Sequence, residues 1–184
     1  MSFTRAARCF SLLLFGSFIM AACQLRSQES ARLHAERSFV VHVDAPFDQA
    51  VPLFGPVGER EWAPDWSPHM IFPADGSFPA RGSVFTTGGK HGDEIWVLTG
   101  YDTQNGLVSY LVVLPSNLVT QIEIRLQGQG EKRTVAEVTY RRTALSAAGD
   151  HMVTHFVDDV SGHAAHWEHA INEALRKRRE NAGH

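Results

Sequence analysis

Cysteine is nearly absent from this chain. Of 184 residues only Cys9 and Cys23 are cysteine, both in the first 23 positions. The remainder has no thiol, which excludes a disulfide framework, thiolate-held zinc and a cysteine nucleophile there. A long hydrophobic run is also missing. The most apolar stretch, Phe10 to Met20, falls short of the roughly 20 residues that span a bilayer. Positive charge is not in excess: 17 Lys and Arg against 20 Asp and Glu leave a formal net charge of −3, a poor match to nucleic acid. Gly-x-Ser-x-Gly and His-Glu-x-x-His are absent, so neither a nucleophile elbow nor that zinc motif is present. No internal repeat or low-complexity tract is visible.

What is present begins with a basic start containing Arg5 and Arg8, an apolar core, and Ala21-Ala22 before Cys23. This is the layout of a secretory signal, expected over residues 1–22. Met20-Ala21-Ala22-Cys23 resembles the lipobox of bacterial lipoproteins, with Met20 departing from the usual Leu. The resemblance implies that Cys23 is lipidated and becomes the first mature residue, anchoring the chain to a membrane. Gln24, rather than Asp, resembles lipoproteins sent on to the outer membrane. The expected location is therefore the bacterial envelope, facing the periplasm, with a soluble secreted product as the alternative. Removing residues 1–22 takes away two arginines and no acid, leaving 15 bases against 20 acids and a charge of −5. Residues 23–36 read as a lipidated polar tether, 37–179 as one domain and 180–184 as a tail.

Within that domain, Arg37–Val43 is β-branched and bounded by Asp44-Ala45-Pro46, a strand signal. Asp44 is expected to cap a short helix carrying Phe47, Val51 and Phe54 on one face, with Pro46 in its first turn. Residues 57–82 hold four prolines and read as loop, with a helical turn near Glu59–Trp62. Strands are expected at Gly82–Thr87, Asp93–Asp102, Leu107–Leu114, Leu118–Gln127 and Thr134–Arg142. Asn105-Gly106 signals a hairpin. Ile122, Ile124 and Leu126 alternate with Glu123, Arg125 and Gln127, which gives an antiparallel sheet with one solvated face. One long helix is expected over Ala147–Arg178, with an apolar stripe from Met152 through Phe156, Val160, Ala164, Trp167 and Ile171 to Leu175, weakened by Gly149 and Gly162.

Val43-Asp44-Ala45-Pro46, Gly82-Ser-Val-Phe85, Trp96, Tyr101, Tyr110 and Thr139-Tyr140…Thr143-Ala144-Leu145-Ser146, in this element order, resemble the START-like or SRPBCC superfamily. That superfamily includes the Bet v 1-like and polyketide cyclase/dehydrase-like proteins. The resemblance covers roughly Ser38 to Arg178. It implies an α+β helix-grip fold, in which a curved antiparallel sheet wraps a long C-terminal helix, and a cavity for an apolar small molecule. Trp62, Trp66, Phe85, Trp96, Tyr101, Tyr110, Tyr140, Phe156, His163 and Trp167 are the candidate lining. Each aromatic has an alternative role as plain core packing.

Candidate chemistry is sparse. Gly58–Pro68 gathers Glu59, Glu61, Asp65, Arg60, Trp62 and Trp66. Glu59 or Asp65 is a candidate acid or base. The alternative is a structural plug, with one acid capping a turn or pairing with Arg60. Ten histidines are present, five of them between His151 and His169. His163, His166 and His169 step by three and drift around a helix, so a solvated face is expected rather than a metal site. His163, at the edge of the apolar stripe, is the third acid–base candidate. Gly88–Gly92 lacks phosphate-loop spacing and reads as a hairpin turn. No cofactor or metal is expected. Three functions remain open: carriage of an apolar small molecule, cyclase/dehydratase-type catalysis in the same pocket, and a structural envelope role with the pocket closed.

Overall fold

The structure is a computed structural model that describes residues 31–74, 80–88 and 93–182. The expected signal over residues 1–22, Cys23 and most of Gly88–Gly92, expected to form a hairpin turn, lie outside the described residues. The described residues from Arg32 onward make one compact unit.

Seven antiparallel strands form one sheet in the order β1-β7-β6-β5-β4-β3-β2. They are β1 (His34–Val43), β2 (His69–Phe72), β3 (Val84–Thr87), β4 (Glu94–Asp102), β5 (Leu107–Leu114), β6 (Leu118–Gly128) and β7 (Thr134–Ala144). Alternation builds the inner face: Ile122, Ile124 and Leu126 of β6 are buried beside Ala136 and Val138 of β7. Between β4 and β5, Gly106 takes φ 66°, a left-handed conformation that glycine adopts at no steric cost. β1 starts at His34, three residues ahead of the expected strand. β2 falls inside the segment expected to be loop, because four residues between Pro68 and Pro73 suffice to pair with β3.

The short α1 (Phe47–Ala50) passes directly into a 3-10 turn, Val51–Phe54, and a second 3-10 turn covers Gly58–Glu61. Asp44 does not cap α1. The cap position is Pro46, and no side chain bonds there.

The expected C-terminal helix is two helices, α2 (Ala147–Asp158) and α3 (Val160–Ala182), broken at Asp159. At the start of α2, Ser146 accepts from the Gly149 N–H at 3.2 Å and its hydroxyl donates to Asn117 Oδ1 at 3.0 Å. α3 lies along β1, an edge strand whose free backbone groups need partners. Glu168 accepts from the His42 N–H and Asn172 Oδ1 from the Asp44 N–H, each at 2.8 Å. The Asn172 amide donates back to the His42 carbonyl, also at 2.8 Å. These side chains take the place of a missing strand and fix α3 against the sheet.

Candidate functional site

One half of the space between sheet and helices is solid. Trp62 and Trp167 meet at 5.1 Å between ring centres, with Phe39 and Phe54 on the other sides of Trp167. Trp66 stands edge-on to Trp96 at 5.0 Å and to Phe85 at 5.8 Å. Two indole N–H groups pin the Gly58–Pro68 loop over this cluster: Trp62 donates to the Leu53 carbonyl at 2.7 Å, Trp66 to the Pro56 carbonyl at 2.8 Å. A buried indole with its N–H paired is a stable plug.

Glu59 belongs to this packed half. It is 7% exposed and does not line the cavity described below. The Tyr110 hydroxyl donates to the Phe54 carbonyl at 2.8 Å and lies 3.3 Å from Glu59 Oε1. Burial raises the Glu59 carboxyl well above the ordinary 4.5, against a lowering contact from Tyr110. Arg60 does not pair with Glu59 or Asp65: it donates to the Pro68 carbonyl at 3.2 Å, and it is Glu61 that pairs with Arg178. Asp65 is exposed.

The other half is open. A cavity of about 830 Å³ lies between β4–β7 and the α2–α3 elbow. Val112, Leu114, Leu118 and Ile122 form its sheet wall, with Ala148 and Met152 opposite. Trp96, Tyr140 and Phe156 join it to the aromatic half. His163 stands at the elbow, its ring 5.4 Å from that of Phe156. Of the ten aromatic and histidine positions expected to line a pocket, these four do so. Phe85, Tyr110, Trp62, Trp66, Tyr101 and Trp167 pack in or against the core instead. Tyr101 lies over Gly55, where an added Cβ would meet its ring and hydroxyl at 2.9 Å.

The polar lining comes from residues that were not expected to face a pocket: Glu94, Thr120, Arg142, His151, His155 and Asp159. Arg142 continues the inward series Thr134, Ala136, Val138, Tyr140 of β7, so strand alternation marks it. Glu94 precedes Trp96 and Leu98 in the same way. The Glu94 carboxylate accepts from Thr87 Oγ1 at 3.4 Å, and Thr87 accepts from the Trp96 indole at 3.0 Å. Burial lowers the His163 pKa below the usual 6.5, Asp159 pulling the other way. The ring is therefore neutral at neutral pH and free to accept a proton or a hydrogen bond. Among the described residues no group of three or more His, Asp or Glu side chains is arranged to hold a metal ion.

Solved structures share this architecture. Norcoclaurine synthase from Thalictrum flavum, in complex with dopamine and hydroxybenzaldehyde, matches with TM-score 0.57 at 12% identity, over 91% of this chain and 96% of that one. Ara h 8.0201 matches with TM-score 0.57 at 10% identity, over 78% and 99%. The di-domain ARO/CYC protein BexL, of the BE-7585A biosynthetic pathway, matches with TM-score 0.56 at 12% identity, over 77% of this chain and 46% of BexL. The chain has the helix-grip fold of Bet v 1-like and polyketide cyclase-type proteins. No family model and no curated protein matches its sequence. At such low identity the likeness carries the fold, and the chemistry rests on the residues of this chain.

Proposed function

We propose that this protein binds and carries an apolar small molecule, lipid-like or aromatic, in the cavity between its sheet and C-terminal helices. The carrying observation is the cavity itself. Side chains do not fill the space between sheet and elbow: a cleft of about 830 Å³, partly open to solvent past His151 and His155, remains there. Pockets for small ligands hold roughly 300–1,000 Å³ and are mostly apolar with a few polar groups. Val112, Leu114, Leu118, Ile122 and Met152 supply the apolar surface. The norcoclaurine synthase structure, which holds two small aromatic molecules, has the same fold. A packed structural role would fill this space with side chains.

The proposed setting is the bacterial envelope, with Cys23 acylated and the domain facing the periplasm. That part rests on the sequence of residues 1–24. Cys23→Ser is expected to abolish membrane partitioning of the full chain; unchanged processing and partitioning would refute the anchor.

A cyclase/dehydratase-type reaction in the same pocket is the second reading. His163 favours it, being neutral and on the cavity wall, where a general base belongs. Glu59 and Asp65 stand away from that wall, so the binding reading asks less of the residues present. Native mass spectrometry of the gently purified full chain, followed by organic extraction, tests the primary reading. A stoichiometric apolar adduct is expected. An apo mass that persists after incubation with a panel of lipids and aromatics would refute it.

A further inference from the structure

Arg142 sits on the inner face of β7, opposite Thr120 of β6 and near enough to Glu94 of β4 to feel its charge. Its guanidinium lies 4.1 Å from the ring centre of Phe156 and 5.4 Å from that of Tyr140. Its Nε is buried with no hydrogen-bond partner. Among the described residues it makes no ion pair. Guanidinium remains protonated in proteins; Arg142 is half-buried, and its shielded Nε is a polar atom of the kind that ordinarily finds a partner. The aromatic faces hold the cation in place but give its N–H groups no acceptor. Those donors border the cavity, and a planar fork of donors matches a carboxylate or phosphate.

We propose that Arg142 is a head-group anchor, and that the ligand is an amphipathic anion with an apolar tail and a single carboxylate or phosphate. The head sits on the guanidinium and the tail runs along Val112, Leu114 and Ile122. This deepens the binding reading above and rests on it. The other charged or titratable groups facing the cavity are Glu94 on β4, Tyr140 on β7, His151 and His155 on α2, Asp159 at the elbow and His163 on α3. The two acids repel an anion, so Arg142 is where its head is placed. Glu94 is held toward β3 by Thr87.

The test compares dodecanoate, dodecyl phosphate and dodecanol by titration of the full chain, followed by tryptophan fluorescence, since Trp96 is on the wall. At least one anion is expected to bind about tenfold or more tighter than dodecanol; whichever anion is tighter names the head group. Arg142→Met is expected to erase that preference while dodecanol still binds, and Arg142→Lys to keep part of it. Glu94→Gln is expected to strengthen the anions and leave dodecanol unchanged. Equal binding of dodecanol and both anions by the unaltered protein would overturn the proposal, a comparison that needs no variant to fold. A preference that survives in Arg142→Met would also overturn it. Either result leaves the cavity reading standing. If none of the three probes binds, this proposal falls, and the mass-spectrometric test above decides the cavity reading.

Discussion

Arg142 lies over the face of Phe156, 4.1 Å from its ring centre. Strand β7 thus presents a cation to helix α2 at the point where the aromatic core gives way to the cavity. The contact joins the two halves of the interior. On one side rings pack against rings; on the other, a charge without an acceptor borders open space.

The packed half has a pH signature. Glu59 is raised above its ordinary value of 4.5 chiefly by burial. A group raised in the folded state contributes stability that is fully present below its unfolded value and is lost as pH rises through the folded one. Glu59→Gln keeps the shape and removes the proton. Its unfolding free energy is therefore expected to exceed that of the unaltered protein by a margin that widens with rising pH above 4.5. Urea unfolding across that range checks this, and parallel stability curves would contradict it.

Trp62 holds the Gly58–Pro68 loop through its bond to the Leu53 carbonyl. Trp62→Phe leaves that buried acceptor unpaired, a loss of about 1–3 kcal/mol. Denaturant midpoints measure it. No change would mean that the indole N–H contributes nothing.

The two helical glycines should respond in opposite directions. In an exposed helix, glycine costs about 1 kcal/mol relative to alanine. At Gly149 an added Cβ would meet the Asn117 carbonyl oxygen at 2.0 Å, a backbone atom. At Gly162 it would meet the Asp159 carboxylate at 2.4 Å, the mobile end of a side chain. Gly149→Ala is expected to lower the melting temperature and Gly162→Ala to raise it. Two upward shifts would contradict the close contact at the α2 start, and two downward shifts the yielding Asp159 carboxylate at Gly162.

Val112 is 5% exposed and stands between Trp96 and Thr120 on the cavity wall. A larger side chain there enters open space. Val112→Phe is expected to cost less than the roughly 1–3 kcal/mol of an overpacked core. It is also expected to weaken dodecanol binding about tenfold or more. Severe destabilisation with unchanged binding would place the ligand elsewhere.

Much of the fold was legible in the sequence. Leu107–Leu114 is a strand as expected, the Asn105-Gly106 hairpin forms, and the element order points to the helix-grip fold. The break at Asp159 was not legible, because the apolar stripe runs through it without a change of period. β2 was hidden by its flanking prolines. The site was legible only in part. Alternation shows which residues face inward but not how far along the strand the packed core ends. Trp96, Tyr140, Phe156 and His163 therefore line the cavity, while Phe85 and Tyr110, equally inward, are packed away. Arg142 and Glu94 carried the same inward signal, masked by the expectation that charges face water.

The central claim is that an apolar molecule occupies the space between the sheet and the α2–α3 elbow. Photolabelling tests it most directly: a diazirine-bearing long-chain alcohol is irradiated with the full chain and the labelled peptides are mapped. The account predicts label on β5, β6 and α2, at residues such as Val112, Ile122 and Met152. Label confined to the exposed Ile71 and Phe72 of edge strand β2, with the cavity wall unmarked, would contradict it.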